Sequence, residues 1–261
     1  ANGLAVTTAD GISLTEDGRA YALRILRTHR LLERYFADRT GASPQDWHTL
    51  ADTAEHRLSE SEAEVLAARM GHPATDPHGD PIPTAAGRLP PRQGIPLAAL
   101  RPGETAVVVH VEDEPDTVYR RLLASGINVA VPIKMVQVLP NSVEVLVGGK
   151  ASNLDPLVAS AVTVDRVEER AGHTVLFDRL DSLRVGERAV VAQIAPQVQG
   201  PQRRRLLDLG VLPGTEIEAE MQSPSGDPMA FRVRGALIAL RKPQAQGIYI
   251  WRVPVEAEAG R

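Results

Sequence analysis

Between positions 29 and 56 the chain carries His29, Glu33, His48, Asp52, Glu55 and His56, in two stripes. His29 and Glu33 stand four apart within LTEDGRAYALRILRTHRLLERYFADRT; the other four lie at i, i+4, i+7 and i+8 within SPQDWHTLADTAEHRL. Residues three, four and seven apart share one side of a helix. Two such stripes facing each other would bring three imidazoles and three carboxylates into one small volume. That donor set, nitrogen and oxygen without sulfur, suits a divalent transition metal. The competing reading is an ordinary charged helix surface with Glu–His and Asp–Arg pairs. A single His–x3–Glu would be read that way, but six candidates on two neighbouring helices, using three of the seven histidines of the chain, favour a metal.

Three helices have to position these groups. Residues 1–13 are short, glycine-containing and weakly alternating, which predicts a small hairpin. Thr15 can cap a helix whose first turn holds Glu16 and Asp17, where the helix dipole favours acids, and Ala22, Leu23, Ile25, Leu26, Leu32, Tyr35 and Phe36 keep a helical period up to a stop at Gly41. Ser43-Pro44 predicts a restart, with Ser as cap and Pro at the first position. Ser59 or Ser61 begins a third helix that runs to Met70-Gly71. The loop HPATDPHGDPIP follows, then a linker over 84–94, after which helical period gives way to short alternating strands.

The later part contains a repeat. LRPGETAVVV (100–109) matches LRVGERAVVA (183–192), and RRLLASG (120–126) matches RRLLDLG (204–210). Each copy reads as strand, short helix, turn and further strands, so two small β-barrels in tandem are expected, over 95–170 and 174–254. The fold class is therefore α+β: a helical domain over 14–83 followed by two β-domains.

Composition narrows the function. A length of 261 residues predicts two or three compact units; 43% hydrophobic and 24% charged residues are ordinary for a globular chain. Net charge is −4 with no long basic run, which argues against nucleic-acid binding by bulk electrostatics. With no cysteine, disulfides, zinc–thiolate sites, Fe–S clusters and a cysteine nucleophile are excluded. The lack of disulfides fits a cytoplasmic location, and no apolar stretch approaches the ~18–20 residues of a membrane span.

LTEDGRAYALRILRTHRLLERYF, together with WHTLADTAEHRLSESEAEVLAARMGHPATDPHGDPIP, resembles the dimerisation and metal-binding domain of the iron-dependent repressor family, which includes the diphtheria-toxin repressor and the manganese transport regulators. The repeats resemble the SH3-like domain of the same family, akin to the ferrous-transport accessory protein FeoA; the second copy, RRRLLDLGVLPGTEIE onwards, carries the stronger likeness. The resemblance implies that Asp52, Glu55 and His56 belong to a primary, regulatory metal site and His29, Glu33 and His48 to an ancillary one, although in manganese regulators the counterpart of His29 serves a binuclear cluster. A carboxylate at Asp52, where iron repressors often have Cys, favours Mn²⁺ or Fe²⁺. From the first β-domain it implies a further ligand, with Glu114 the best candidate and Glu112 and Asp116 nearby. It implies a homodimer, with Trp47, Leu50, Leu58, Leu66 and Met70 as candidates for its seam or for the core. The family begins with a winged helix-turn-helix; residues 1–13 resemble the end of its wing, and the recognition helix is not among these residues. This chain alone is therefore expected to bind operator DNA weakly or not at all, and to have no membrane contact.

Other groups receive plainer readings. His72 and His78 flank a rigid turn closing the helical domain, with a further metal site as the less favoured alternative; Asp76 and Asp80 form that turn through side-chain bonds to backbone, and His110 and His173 stand alone. Arg203-Arg204-Arg205 reads as a solvated helix face, with an acidic partner as the alternative. Polyproline capture by the β-domains would need an aromatic wall; the first offers little beyond Tyr119, and Phe177, Phe231, Tyr249 and Trp251 of the second are scattered. Catalysis has little support, with neither HExxH nor a nucleophile elbow present. The expected function is the metal-sensing and dimerising portion of a Mn/Fe-dependent transcriptional regulator. The alternative is the cytosolic regulatory domain of a metal-ion transporter.

Overall fold

The computed structural model describes residues 3–8, 11–147, 150–166, 178–195, 198–212 and 214–252. A hairpin of β1 (Ala5–Thr8) and β2 (Gly11–Leu14) leads into α1 (Glu16–Arg39), whose N-cap Thr15 accepts from the Gly18 amide. α1 ends two residues before Gly41. The expected start of the second helix at Ser43-Pro44 is corrected: those residues form a turn closed by Asp46 N–H to the Ser43 carbonyl at 2.9 Å, and α2 spans Trp47–Glu55. His56 is therefore the C-cap residue of α2, outside its hydrogen-bonded body. α3 (Glu60–Arg69) starts at Ser59 with a full capping box: the Glu62 amide donates to the Ser59 hydroxyl, and the Glu62 carboxylate accepts from the Ser59 amide.

The loop after α3 is tied to α1 by two arginines. Arg30 donates to the Pro81 carbonyl at 2.7 Å and Arg27 to the Pro83 carbonyl at 2.7 Å. Asp76 acts as the expected turn former, accepting the amides of His78 and Asp80 at 2.9 Å each. Gly79, at φ +93°, lies so close to the next domain that a Cβ would meet the Val109 carbonyl at 2.0 Å. This glycine lets the loop lie against a strand of the first β-rich domain, where the Val111 amide donates to the His78 carbonyl at 2.9 Å.

The two β-rich domains are copies in every element. The first holds β3 (Ile95–Pro96), β4 (Thr105–Val111), α4 (Asp116–Ala124), β5 (Pro132–Leu139), β6 (Ser142–Val147), β7 (Lys150–Leu154), α5 (Pro156–Ser160) and β8 (Val162–Arg166), with sheet order β3-β8-β4-β5-β6-β7. The second holds β9 (Asp178–Arg179), β10 (Arg188–Ile194), α6 (Gly200–Asp208), β11 (Glu216–Gln222), β12 (Met229–Val233), β13 (Ala236–Leu240), α7 (Lys242–Ala245) and β14 (Ile248–Arg252), in the matching order β9-β14-β10-β11-β12-β13. All pairs are antiparallel, and each sheet surrounds its own apolar core. Even the irregularities repeat: the register shift between Val108 and His110 in β4 recurs between Val191 and Gln193 in β10. Such a shift re-aims the side chain at its end, and in both copies that side chain turns toward the helical domain. No described helix is long and apolar enough to cross a membrane.

Candidate metal centre

α1 and α2 pack so that His29 and Glu33 of the first meet His48 of the second, as the stripes predict. His29 Nε2 is 3.2 Å from Glu33 Oε1 and 3.2 Å from His48 Nδ1, and His48 Nδ1 is 3.3 Å from Glu33 Oε1. Three donor atoms thus mark a nearly equilateral triangle. Around an ion held at ~2.1 Å, neighbouring donors stand ~3.0 Å apart in an octahedron and ~3.4 Å apart in a tetrahedron. The triangle fits one face of such a shell. Hydrogen bonds to Glu33 hold both imidazoles in the absence of an ion, and the same three atoms are the ones a dication would take as donors.

Glu33 is 2% exposed and its second oxygen points elsewhere, to His78 Nδ1 at 3.8 Å. Asp113, in the loop between β4 and α4, places Oδ2 at 3.1 Å from His48 Nδ1 and 3.6 Å from His78 Nδ1. His78 is 1% exposed, lies edge-on to Tyr119 with centroids 5.1 Å apart, and its Nε2 has no hydrogen-bond partner. Glu33, Asp76 and His78 bring one donor atom each within 4.8 Å of one another, so Glu33 joins two candidate groups. The donors are imidazole and carboxylate throughout, a set that fits Mn²⁺ or Fe²⁺.

The electrostatics follow from this crowding. Burial opposes ionisation of Glu33, but hydrogen bonds from His29 and His48 and the nearby charge of His78 hold its carboxyl far below the usual range. The hydrogen bond with Glu33 is the chief cause that lifts His48 to about 9, with Asp113 adding charge. His29 and His78 are also raised, since their carboxylate neighbours outweigh the burial that would lower them. Burial pushes the Asp76 carboxyl up to about 7. A dication bound here has to displace protons from the imidazoles.

Glu55, buried at the end of α2, holds His29 from behind: its Oε2 is 2.7 Å from His29 Nδ1. A carboxylate on the far nitrogen fixes the tautomer and aims Nε2 at the triangle. The other Glu55 oxygen is 3.3 Å from His56 Nε2. Glu55 and His56 line a groove with Tyr21, Arg24, Ile25 and Thr28 of α1. Asp52 is exposed on α2 and makes no polar contact among the described residues.

Comparison with known proteins gives this geometry a context. The family model for the iron-dependent repressor metal-binding and dimerisation domain matches residues 15–84, and that for the FeoA domain matches 95–166 and 179–252. The iron-dependent repressor IdeR of Mycobacterium leprae is 31% identical over 173 residues, covering 60% of this chain and 74% of that protein. The chain belongs to the iron-dependent repressor family. IdeR of Mycobacterium tuberculosis is 40% identical over 72 residues, covering 28% of this chain; the match spans about a third of that relative, 31% of its length. A solved manganese-dependent transcriptional repressor in complex with manganese superposes with TM-score 0.57 at 30% identity, covering 63% of this chain and 78% of that one. A probable metal transport system membrane protein of Chlamydia trachomatis is 34% identical over 71 residues, covering 27% of this chain and 16% of that protein.

Of the residues expected from sequence in this repressor-family chain, His29, Glu33 and His48 come together, Glu55 supports them, and His56 stands beside Glu55. Glu114 is near, with Oε1 at 3.4 Å from His48 Nε2, but it is 74% exposed; its neighbour Asp113, 16% exposed, reaches further in. Glu112 instead pairs with Arg92 at 2.9 Å, and Asp116 with Arg120. For His78 the less favoured metal-site alternative is the one the geometry supports, and Asp113 is a residue that sequence spacing does not single out; both join the cluster from loops. The signal available for His78 was a histidine between two aspartates in a glycine-containing loop, DPHGD. His110 does not stand alone, since its Nε2 is 3.5 Å from Asp80, which also binds Arg92 and Arg30. His72 is exposed, and His173 and Phe177 lie outside the described residues. Tyr119 and Phe231 are core residues, which removes them from any peptide-binding wall. Trp47 is 4% exposed and donates to the Ala42 carbonyl at 3.1 Å, so it belongs to the core rather than to a dimer seam.

Proposed function

We propose that this chain is the metal-sensing and dimerising portion of a Mn²⁺- or Fe²⁺-dependent transcriptional regulator acting in the cytoplasm. The observation that carries this reading is the triangle of His29 Nε2, Glu33 Oε1 and His48 Nδ1, with sides of 3.2, 3.2 and 3.3 Å. Asp113 is the donor offered by the first β-rich domain, and His78 and Asp76 extend the set around the second Glu33 oxygen. Glu55 and His56 at the groove beside α1, with Asp52 exposed one turn earlier on α2, are the set that the family resemblance makes regulatory. A bound dication supplies the positive charge that these carboxylates otherwise take from protonated histidines.

The chain's own part is mechanical. His29 and Glu33 belong to α1, His48 to α2 and Asp113 to the first β-rich domain, so engaging all four fixes the relation of three elements. Shape then follows occupancy, because a ligand shifts a conformational equilibrium only by its differential affinity for the two states. A near-complete switch needs roughly 3–5 kcal/mol of that difference. A homodimer would pair two operator-reading heads, and the apolar groove of Leu32, Tyr35, Leu58, Val65 and Leu66 between α1 and α3 supports such a seam.

The test is thermal melting with Mn²⁺ or Fe²⁺. Metal should raise the melting temperature by mass action, and His29→Ala with His48→Ala should abolish the rise. An unchanged melting temperature at saturating metal would overturn the reading. The likeness to a metal-transport membrane protein favours a second reading, a regulatory domain that gates transport. Metal-dependent, sequence-specific DNA binding by the full-length protein supports the regulator; its absence, with intact metal binding, supports the second.

A further inference from the structure

Where the helical domain and both β-rich domains meet, a cavity of about 70 Å³ is lined by Arg34, Trp47, Tyr119, Asn128, Gln193 and Arg203, among others. Such a volume has room for a few waters or one compact anion. Its charge is unbalanced. Arg203 of α6 donates to Asp38 Oδ1 at 2.7 Å, and Arg34 donates to Asp38 Oδ2 at 2.7 Å. Two guanidiniums therefore share one carboxylate at a junction where all three side chains are 20% exposed or less. The cavity also carries a stray donor: Gln193 Nε2 is buried and has no hydrogen-bond partner. A buried amide without a partner is destabilising, and so are like charges brought together in a half-dry site. The remaining lining, Ala37, Pro77, Val111, Val129 and Ile194, is apolar and offers no acid.

We propose that this three-domain junction binds one compact anion, a halide or a small carboxylate, held by the Gln193 amide and the Arg34 and Arg203 guanidiniums. The anion completes the charge balance with Asp38 and ties the second β-rich domain to α1, one turn beyond Glu33. The Asp38 pair corrects the reading of Arg203 as part of a solvated face and agrees with its acidic-partner alternative. Arg203 has an acidic partner within its own chain, whereas Arg204 remains largely exposed.

The experiment uses the whole chain, freed of metal, with bromide as probe and ionic strength held by gluconate, which is too large for the cavity. Bromide should raise the melting temperature saturably in the unmodified protein. Gln193→Leu keeps the size and removes the donor, so the midpoint should move to about tenfold higher bromide. Gln193→Glu carries its own anion into the cavity: it should melt above the unmodified protein in gluconate and no longer respond to bromide. Crystals grown in bromide should show an anomalous peak beside Gln193 Nε2. A Gln193→Glu protein that melts lower and responds to bromide as the unmodified protein does would overturn the proposal and leave the cavity to water. So would saturating bromide with no peak there.

Discussion

The two β-rich domains share strand order, helices and even a register shift, yet they treat the helical domain in opposite ways. After β4 the first copy runs Glu112-Asp113-Glu114-Pro115, and its acids lean on His48 and His78. The equivalent stretch of the second, Ala195-Pro196-Gln197-Val198, has no acid at all. One helix position shows the same divergence. Tyr119 of α4 packs edge-on against His78, whereas its counterpart Arg203 of α6 pairs with Asp38 at the far end of α1. Even the re-aimed strand residues differ, His110 meeting Asp80 and Gln193 facing the junction cavity. A duplicated scaffold has kept its backbone and exchanged the charge at one end, so that one copy turns acids toward the histidine cluster and the other turns an arginine toward Asp38.

The most damaging change to this contrast should be Glu33→Gln. Glu33 serves the cluster with both oxygens, so metal affinity should fall by more than the ~10–100-fold typical of an outer-shell partner, as read by calorimetric titration. Asp38→Ala should act on the other side, leaving Arg34 and Arg203 facing each other without their acid. Breaking a buried pair costs about 3–5 kcal/mol, measurable by denaturant unfolding, while metal affinity stays within about threefold. Equal losses of metal affinity in both variants would erase the distinction between the domains. Asp113→Asn should weaken metal binding by ~10–100-fold, and Glu112→Ala should not, because Glu112 faces Arg92.

Acidity sharpens the comparison further. His48 has its pKa raised to about 9 by Glu33 and Asp113. The stability this gives the metal-free protein is fully present below the unfolded value near 6.5 and is lost as pH rises through about 9. Metal-free melting temperature should thus fall from pH 6.5 to 9, while metal affinity rises over the same range, since fewer protons need displacing. Parallel trends in the two quantities would contradict this account. The smallest effect belongs to Asp52→Asn, which should change affinity at the His29–Glu33–His48 triangle by less than about threefold, a surface-scale effect.

Much of the fold is legible in the residues, and the reasons for the remainder are specific. Helical spacing finds His29 and Glu33 because both obey one periodicity on one helix, and the repeated LRxGExAVV finds the duplication because related strands need the same pattern. Spacing puts His56 beside Glu55 but not past the end of the helical body at Glu55, and it fails for the start of α2, because Ser43-Pro44 makes a turn as readily as a cap. His78 and Asp113 are invisible to any periodicity. They reach the cluster from loops of two different domains, brought together by the close approach of Gly79 to β4. Arg203 is hidden for the same reason, its partner Asp38 being 165 positions away.

The central claim is that α1, α2 and the first β-rich domain hold one hard dication between them. Crystals of the whole chain soaked in Mn²⁺ and measured at an anomalous wavelength test it most directly. A peak within ~2.0–2.3 Å of His29 Nε2, Glu33 and His48 Nδ1, with Asp113 turned toward it, is the predicted result. Saturating Mn²⁺ with no peak among these side chains, and the imidazoles still paired to Glu33 through protons alone, would contradict it.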